Sequence, residues 1–205
     1  FTELHYRNGL GTDLRIRLPE GHIWMGGAEH SAAGTLFAAN IPTEEVYTMP
    51  MRTGVNGAVF ASKPLHYNGN LIHDVSLTFR DGKVVSYDAK QGREHLKELL
   101  ETDEGASYLG EVALVPHDSP ISQSGILFYN TLFDENASCH LALGKAYPTC
   151  IKNGDNMTED ELCQHEVNHS LVHEDFMIGT ADLNVVGRKR SGETITIMEN
   201  GNFSF

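Results

Sequence analysis

The sequence is short of positive charge. It carries 15 lysines and arginines against 28 aspartates and glutamates, which gives a formal net charge of −13 at pH 7 and a pI near 5.2. Nucleic acids and anionic membranes select clusters of Lys and Arg, because their phosphates are negatively charged. We therefore expect neither a nucleic-acid partner nor a membrane partner.

Cysteine and long apolar runs are also scarce. The three cysteines, Cys139, Cys150 and Cys163, are too few and odd in number for a disulfide framework, so we expect three buried free thiols in a reducing compartment. No apolar run approaches the roughly 18 residues that span a bilayer, and no charged-then-apolar leader opens the chain. These features predict a cytoplasmic protein.

The length of the chain fits one compact domain. At 205 residues and 22.6 kDa it can bury a substantial core without disulfides or structural metals. It begins at Phe1 rather than at a methionine, and strand-like sequence follows at once. We expect residues 1–205 to be a single domain from which an N-terminal portion is missing.

Hydrophobic alternation predicts several antiparallel strands. Residues 13–18 alternate polar with apolar, and a Pro-Glu-Gly turn then leads to 22–25, which predicts a hairpin. Residues 55–88 contain further alternating runs, separated by Asn-Gly at 68–69 and Asp-Gly at 81–82. Both dipeptides favour tight hairpin turns, so this block is predicted to be a meander.

Two helices are predicted between the strands. Residues 91–102 place leucines on one face and charged side chains on the other. Thr158 and Glu161 form a capping-box pattern at the start of a second helix that is predicted to run toward His169.

The remaining apolar segments read as strands. They are 109–115, 125–133 and most of the last third, from 176 to 205, where Asn-Gly at 200–201 marks a turn. Strands outnumber helices and do not alternate regularly with them. The predicted fold class is therefore α+β, a largely antiparallel β-sheet with a few covering helices.

Residues 165–169 read His-Glu-Val-Asn-His, a literal HExxH. On a helix this spacing puts two imidazoles one turn apart beside a carboxylate, the arrangement of a one-zinc protease that would use His165, Glu166 and His169. Such a zinc ion needs a third protein ligand. The extended metzincin pattern requires Gly and His where this chain has Val172 and Asp175, and acidic residues further on lie in a strand-like tail. The alternative is a solvated helix face.

Carboxylates and imidazoles elsewhere lie close to apolar strands. Buried carboxylates require a cation, and mixed oxygen and nitrogen donors suit two divalent cations bridged by a shared carboxylate. The side chains in question are Glu44, Glu45, Glu111, Asp134, Glu135, His140, His173, Glu174 and Asp175.

Several stretches resemble the aminopeptidase T family, the thermophilic-type aminopeptidases with two metal ions. The similarity extends over all 205 residues, which correspond to about the C-terminal half of a family member, because the family carries an additional N-terminal α/β domain. The stretches that carry the resemblance are 8–14, 40–46, 109–116, 119–122, 127–144, 173–179 and the closing Asn-Gly-Asn-Phe.

The resemblance implies a metal-dependent aminopeptidase that acts on peptides through a water activated by two divalent cations, zinc, cobalt or manganese. It implies dimer formation and a partner in the protein's own N-terminal domain. The sequence does not decide whether Glu44 or Glu45 binds metal, or whether Asp134 or Glu135 does. The implied metal ligands are Glu45, Glu111, Glu135, His140, His173 and Asp175.

The resemblance also implies roles in catalysis. Glu111 either bridges the metals or acts as a general base, and Tyr147 lines the site, where it can donate to the oxyanion of the substrate. The HExxH histidines have no counterpart among the implied ligands. A different class stays open, in which the chain is a metal-binding, dimerising half that is inactive alone.

Overall fold

Two antiparallel β-sheets form the framework of the protein. The structure is a computed structural model that describes residues 1–38 and 44–205. Among these residues, strands predominate and the helices are short, so the predicted α+β class with a largely antiparallel sheet is confirmed. No helix in this part of the chain is long and apolar enough to cross a membrane.

The elements have the following bounds: β1 Glu3–Arg7, β2 Asp13–Arg17, β3 Met25–Gly26, β4 Glu29–His30, β5 Leu36–Phe37, β6 Val46–Thr48, β7 Val55–Phe60, β8 Leu65–Tyr67, β9 Asn70–Ile72, β10 Ser76–Arg80, β11 Lys83–Asp88, α1 Arg93–Leu100, β12 Leu109–Leu114, α2 Pro120–Ser124, α3 Thr131–Asp134, β13 His140–Gly144, α4 Glu159–Gln164, β14 His173–Met177, β15 Asn184–Arg188, β16 Thr194–Glu199 and β17 Asn202–Phe203.

The larger sheet has eight strands in the order β11-β10-β7-β2-β1-β15-β16-β17. In β2, Leu14 and Ile16 are buried, while the three residues that alternate with them are exposed. The predicted hairpin between 13–18 and 22–25 is wrong. Strand β2 pairs with β1 and β7 instead, and the turn at 19–21 leads to Met25–Gly26, which pairs with β6 in the second sheet. Local alternation cannot tell a hairpin from a crossing between sheets.

The predicted meander is partly confirmed. Strands β7, β10 and β11 pair in antiparallel order, but β8 and β9 form a separate two-stranded hairpin. Both predicted turns have the left-handed backbone that Asn-Gly and Asp-Gly favour, with φ of 48° and 80° at Asn68 and Gly69, and of 49° and 83° at Asp81 and Gly82.

One predicted helix is confirmed and one predicted strand is wrong. Helix α1 buries Leu96, Leu99 and Leu100 as predicted. The predicted strand at 125–133 is wrong. Here the chain forms a loop and the short helix α3, because the carboxylate of Asp134 accepts hydrogen bonds from the backbone N–H groups of Phe128 and Asn130.

The second predicted helix starts correctly and ends early. Thr158 and Glu161 form the capping box at the start of α4. The helix stops at Gln164 rather than continuing to His169. Cys163 on this helix is exposed, so the prediction of three buried thiols holds only for Cys139 and Cys150.

The second sheet has five strands in the order β14-β13-β12-β6-β3. Every residue of its central strands β12 and β13 is buried. One face packs against the eight-stranded sheet and α1 in the main apolar core, through side chains such as Val112, Leu141 and Phe176. The other face is therefore free to carry polar groups that are also shielded from solvent.

A β-bulge at Gly110 decides which face Glu111 takes. Leu109 lies opposite Leu143, yet Glu111 lies opposite Ala142, so β12 contains one extra residue at this point. Without it, Glu111 would share the core face with Leu109, because side chains alternate along a strand. A Cβ atom at Gly110 would collide with the carbonyl groups of Gly144 and Lys145. The bulge therefore depends on a residue without a side chain.

We predict that Gly110→Ala lowers the free energy of unfolding by about 2 kcal/mol, the usual cost of forcing a methyl group into packed backbone. Urea denaturation followed by circular dichroism measures this change. Gly26→Ala is the control, because a Cβ at Gly26 in the same sheet makes only an ordinary contact at 3.8 Å. Equal stabilities for the two variants would contradict the account of the bulge.

Candidate metal centre

The polar face of the second sheet is built by strand register. Glu111 on β12 lies opposite Ala142 on β13, and Ala142 lies opposite Asp175 on β14. Residues directly opposite one another in antiparallel strands point to the same face. Glu111 and Asp175 therefore stand on either side of a small alanine, which leaves room above it for both carboxylates and their ligand.

The other polar groups reach this face from the ends of elements. His140 is the first residue of β13 and His173 the first of β14. Glu45 immediately precedes β6, and Glu135 begins a 3₁₀ turn at Glu135–Ala137 that follows α3. Four strands and one turn therefore deliver donors to one place.

Six side chains offer donor atoms in three overlapping groups, and within each group all the atoms lie within 4.8 Å of one another. Glu111, His140 and Asp175 each belong to two groups, so the donors form one continuous cluster. The groups are Glu45, Glu111 and His140; Glu111, His173 and Asp175; and Glu135, His140 and Asp175.

Backbone carbonyls orient both imidazoles. The Nδ1–H of His140 donates to the carbonyl of Ser138 at 3.0 Å, and the Nδ1–H of His173 donates to the carbonyl of Lys145 at 2.7 Å. Each carbonyl fixes the tautomer in which Nε2 carries the free lone pair. This arrangement is typical of histidines that ligate metals.

Glu111 lies between the two rings. Its Oε1 is 3.4 Å from Nε2 of His140, and its Oε2 is 3.8 Å from Nε2 of His173. His140 Nε2 is also 3.3 Å from Glu45, and His173 Nε2 is 3.5 Å from Asp175. One carboxylate thus faces two separate sets of donors, the geometry expected of a bridging ligand.

Burial and mutual contacts shift the pKa values of the clustered side chains. Burial raises the pKa of Glu111, and it raises the pKa of Glu135 to about 9 with a further contribution from the charge of Asp175. Burial alone would lower the pKa of His173, but the contact with Asp175, the charge of Glu111 and the Lys145 carbonyl together raise it to about 9. The acids and imidazoles therefore share protons, which a bound cation would displace.

Within the cluster, two buried side-chain atoms have no hydrogen-bond partner, Nε2 of His140 and Oδ1 of Asp175. The carboxylate oxygens near His140 are close to its ring nitrogen but do not have hydrogen-bond geometry. Leaving such atoms unsatisfied in the interior costs about 1–3 kcal/mol each. A divalent cation would satisfy both, so the donor set fits a metal ion.

Comparison with known proteins agrees with this chemistry. The sequence model of the thermophilic metalloprotease (M29) family matches residues 1–203. This chain belongs to the M29 family. It is 58% identical over 195 residues to aminopeptidase 2 of Geobacillus stearothermophilus, covering 95% of this chain and 47% of that protein. Over 201 residues it is 44% identical to aminopeptidase T of Thermus thermophilus, covering 98% and 48%.

Solved structures give the same relationship. Wild-type AmpT from Thermus thermophilus superposes with a TM-score of 0.93 at 43% identity, covering all of this chain and 50% of that one. A 2,5-dihydroxypyridine dioxygenase from Pseudomonas putida has a TM-score of 0.61 at 10% identity, which shows a shared fold alone. The chain spans about half the length of the M29 relatives it matches.

The structure brings together all six side chains that the sequence nominated as ligands, although their role in binding metal stays a prediction. It separates the two ambiguous pairs. Glu44 is exposed, whereas Glu45 belongs to the cluster. Asp134 is committed to backbone N–H groups, whereas Glu135 faces the other donors. Part of the segment at 40–46, residues 40–43, lies outside the described residues.

The one-zinc interpretation of HExxH is wrong on geometry. Helix α4 ends before the motif, with His165 as its C-cap and Glu166 in a left-handed conformation at φ 62°. The two histidines are therefore not one helical turn apart, and both are exposed. In the part of the chain that the structure describes, neither joins a group of metal donors. The Glu166 carboxylate accepts hydrogen bonds from Thr53 instead.

Sequence reasoning missed the groups that support the cluster. The carbonyls of Ser138 and Lys145 are backbone atoms, so no side-chain pattern identifies them. Ala142 gives no signal of its own. Gly110 does, because an isolated glycine inside an apolar strand indicates a bulge or a close backbone approach.

We predict that Ala142→Val reduces the number of metal ions bound per folded chain, because the added methyl groups occupy the room between Glu111 and Asp175. Metal analysis after dialysis measures the number of ions. Leu141→Val is the control, since Leu141 faces the apolar core. It should cost about 1 kcal/mol of stability and leave metal content unchanged. Loss of metal from Leu141→Val, with normal metal content in Ala142→Val, would contradict the assignment of the site to this face of the sheet.

His140 and His169 give a second, independent contrast. We predict that His140→Ala loses bound metal while His169→Ala retains it, because only His140 lies among the donors. Metal analysis of the two folded variants, compared with the unsubstituted protein, decides the matter. Loss of metal from His169→Ala alone would restore the one-zinc interpretation.

Proposed function

We propose that this chain is the metal-binding C-terminal domain of a metal-dependent aminopeptidase, which releases N-terminal residues from peptides. The observation that carries the proposal is the position of Glu111, with one oxygen toward each of two oriented imidazoles. The relatives support it, since the M29 proteins that the chain matches are named aminopeptidases.

The proposed site takes two divalent cations. Carboxylate and imidazole donors accept zinc, cobalt and manganese alike. When bound, such a pair lowers the pKa of a water for attack on the peptide and polarises the scissile carbonyl. The six side chains that would hold the pair are Glu45, Glu111, Glu135, His140, His173 and Asp175.

Glu111 has the central role in this proposal. Because each of its oxygens faces a different imidazole, bridging is the role its position favours over that of general base. Both roles place it at the reacting atoms. The burial that raises its pKa also keeps competing water away from the carboxylate.

Tyr147 is the proposed donor to the oxyanion of the substrate. Its ring centroid lies 4.7 Å from that of His173, and its side chain is 39% exposed, so a substrate can reach it. Burial and the charge of Glu111 raise the pKa of Tyr147 to about 12. The phenol therefore keeps its proton at neutral pH and can donate a hydrogen bond to the developing negative charge.

Recognition of the substrate amine follows from the same charges. An N-terminal ammonium group is attracted to a cluster rich in carboxylates, and a carboxylate that is not fully used by metal can bind it directly.

A second candidate is a metal-binding, dimerising half that is inactive alone. The observation in its favour is that the chain spans about half the length of its M29 relatives. If the remaining half closes the substrate cavity, the metal centre would bind ions without turning over peptide. The homodimer, the partnership with an N-terminal domain and the cytoplasmic location all stay predictions.

We predict that the purified protein hydrolyses an aminoacyl chromogenic substrate when cobalt, zinc or manganese is added. Glu111→Gln should lower kcat/KM by more than about a hundredfold, because it removes the charge of the central carboxylate. Glu44→Gln is the matched control, since this glutamate is exposed and outside the cluster.

The outcomes separate the two candidates. Hydrolysis by the chain rules out the inactive half. Absence of hydrolysis with two ions bound would favour the inactive half, and absence of both would overturn the proposed metal centre. An active Glu111→Gln variant would remove Glu111 from the mechanism.

A further inference from the structure

The HExxH segment has a structural role that the proposed function does not use. After α4, residues 165–172 cross the end of the five-stranded sheet before entering β14 at His173; we call this segment the strap. It lies directly on two glycines, since a Cβ at Gly105 would collide with the carbonyl of His169, and one at Gly144 with the carbonyl of Val172. The strap is therefore closely packed against both glycines on its way to His173.

Asn168 is the buried anchor of the strap, with 1% of its surface exposed. Its Nδ2 donates to the carbonyl of Gly144 at 2.6 Å and to that of Gly105 at 2.9 Å. Its Oδ1 accepts a hydrogen bond from Nε of Arg52 at 3.1 Å. Both donor hydrogens and the acceptor of the amide are thus in use, an arrangement that no other side chain of this size reproduces.

The backbone of Asn168 adds a fourth bond, because its carbonyl accepts from the N–H of Ala146 at 2.9 Å. Asn168 thereby holds the residues on both sides of Lys145. The N–H of Lys145 itself donates to Val172 at 2.7 Å, and its carbonyl accepts from Nδ1 of His173. The peptide that orients His173 is therefore fixed from either end by one asparagine.

We propose that Asn168 is a positioning residue for the metal centre: it clamps Gly144 and Ala146, and so holds the Lys145 carbonyl that directs Nε2 of His173 toward Glu111 and Asp175. The inference rests on the proposed function. It gives Asn168, the second variable position of the HExxH pattern, a role that the pattern does not suggest. Outer hydrogen-bond partners of ligating histidines contribute 10–100-fold to metal affinity.

The test is a double-mutant cycle on metal affinity. Calorimetric titration with Co²⁺ is carried out on the purified protein, Asn168→Ala, His173→Ala and the double variant. We expect Asn168→Ala to raise the Kd for cobalt about tenfold. In the His173→Ala background, the same change should raise Kd by less than about twofold, because the ring that Asn168 positions is gone.

A merely structural role gives a different result. General loosening of the sheet would weaken cobalt binding by the same factor in both backgrounds, and that outcome overturns the proposal. So does an unchanged Kd in Asn168→Ala. His169→Ala, in the same strap but exposed, is the control and should bind cobalt as the unsubstituted protein does.

Two further outcomes are distinguished by design. If the unsubstituted protein binds no cobalt, the proposed metal centre is overturned and the role of Asn168 with it, whereas normal cobalt binding with an unchanged Kd in Asn168→Ala overturns the role of Asn168 alone. If Asn168→Ala does not fold by circular dichroism, Arg52→Gln replaces it in the cycle, because it keeps Asn168 but withdraws the donor to Oδ1. A rise in the Kd for cobalt on Arg52→Gln that is smaller than tenfold and occurs only when His173 is present would support the proposal. Equal rises with and without His173 would refute it.

Discussion

The burial of several carboxylates against two imidazoles is the constraint on which the rest of the structure depends. Glu111 and Asp175 are almost fully buried on one face of a sheet whose other face is apolar core. Charged groups are stable there only when paired with positive charge and held in place by hydrogen bonds. The orientation of the histidines, the bulge in β12 and the small residue at 142 all meet this requirement.

One backbone group connects these solutions. The carbonyl of Lys145 accepts the Nδ1–H of His173 and is also the group against which Gly110 packs without a side chain. The bulge that directs Glu111 and the hydrogen bond that directs His173 therefore share a single peptide. Asn168, which is buried, bonds to the residues on both sides of Lys145.

Local secondary structure and the clustered donor side chains could largely be predicted from the sequence. The fold class, helix α1, the capping box of α4 and the turns at 68–69 and 81–82 follow from local periodicity and turn preference. The six clustered donors were nominated through acidic and imidazole groups in apolar surroundings together with a family resemblance. Long-range pairing failed for 13–18 with 22–25. Local structure failed at 125–133, because its apolar residues lie in a loop and a short helix held by hydrogen bonds to Asp134.

The HExxH segment shows why a motif needs its structural context. The pattern has meaning only on a continuous helix, and here Glu166 adopts a left-handed conformation that ends the helix at the first histidine. Its carboxylate and the amide of Asn168 then bind backbone and arginine rather than metal. A segment that reads as an active site instead contacts the Lys145 peptide, whose carbonyl orients His173, four residues beyond the motif. The same local geometry that removes the zinc site places Asn168 where it bonds to the residues on either side of Lys145.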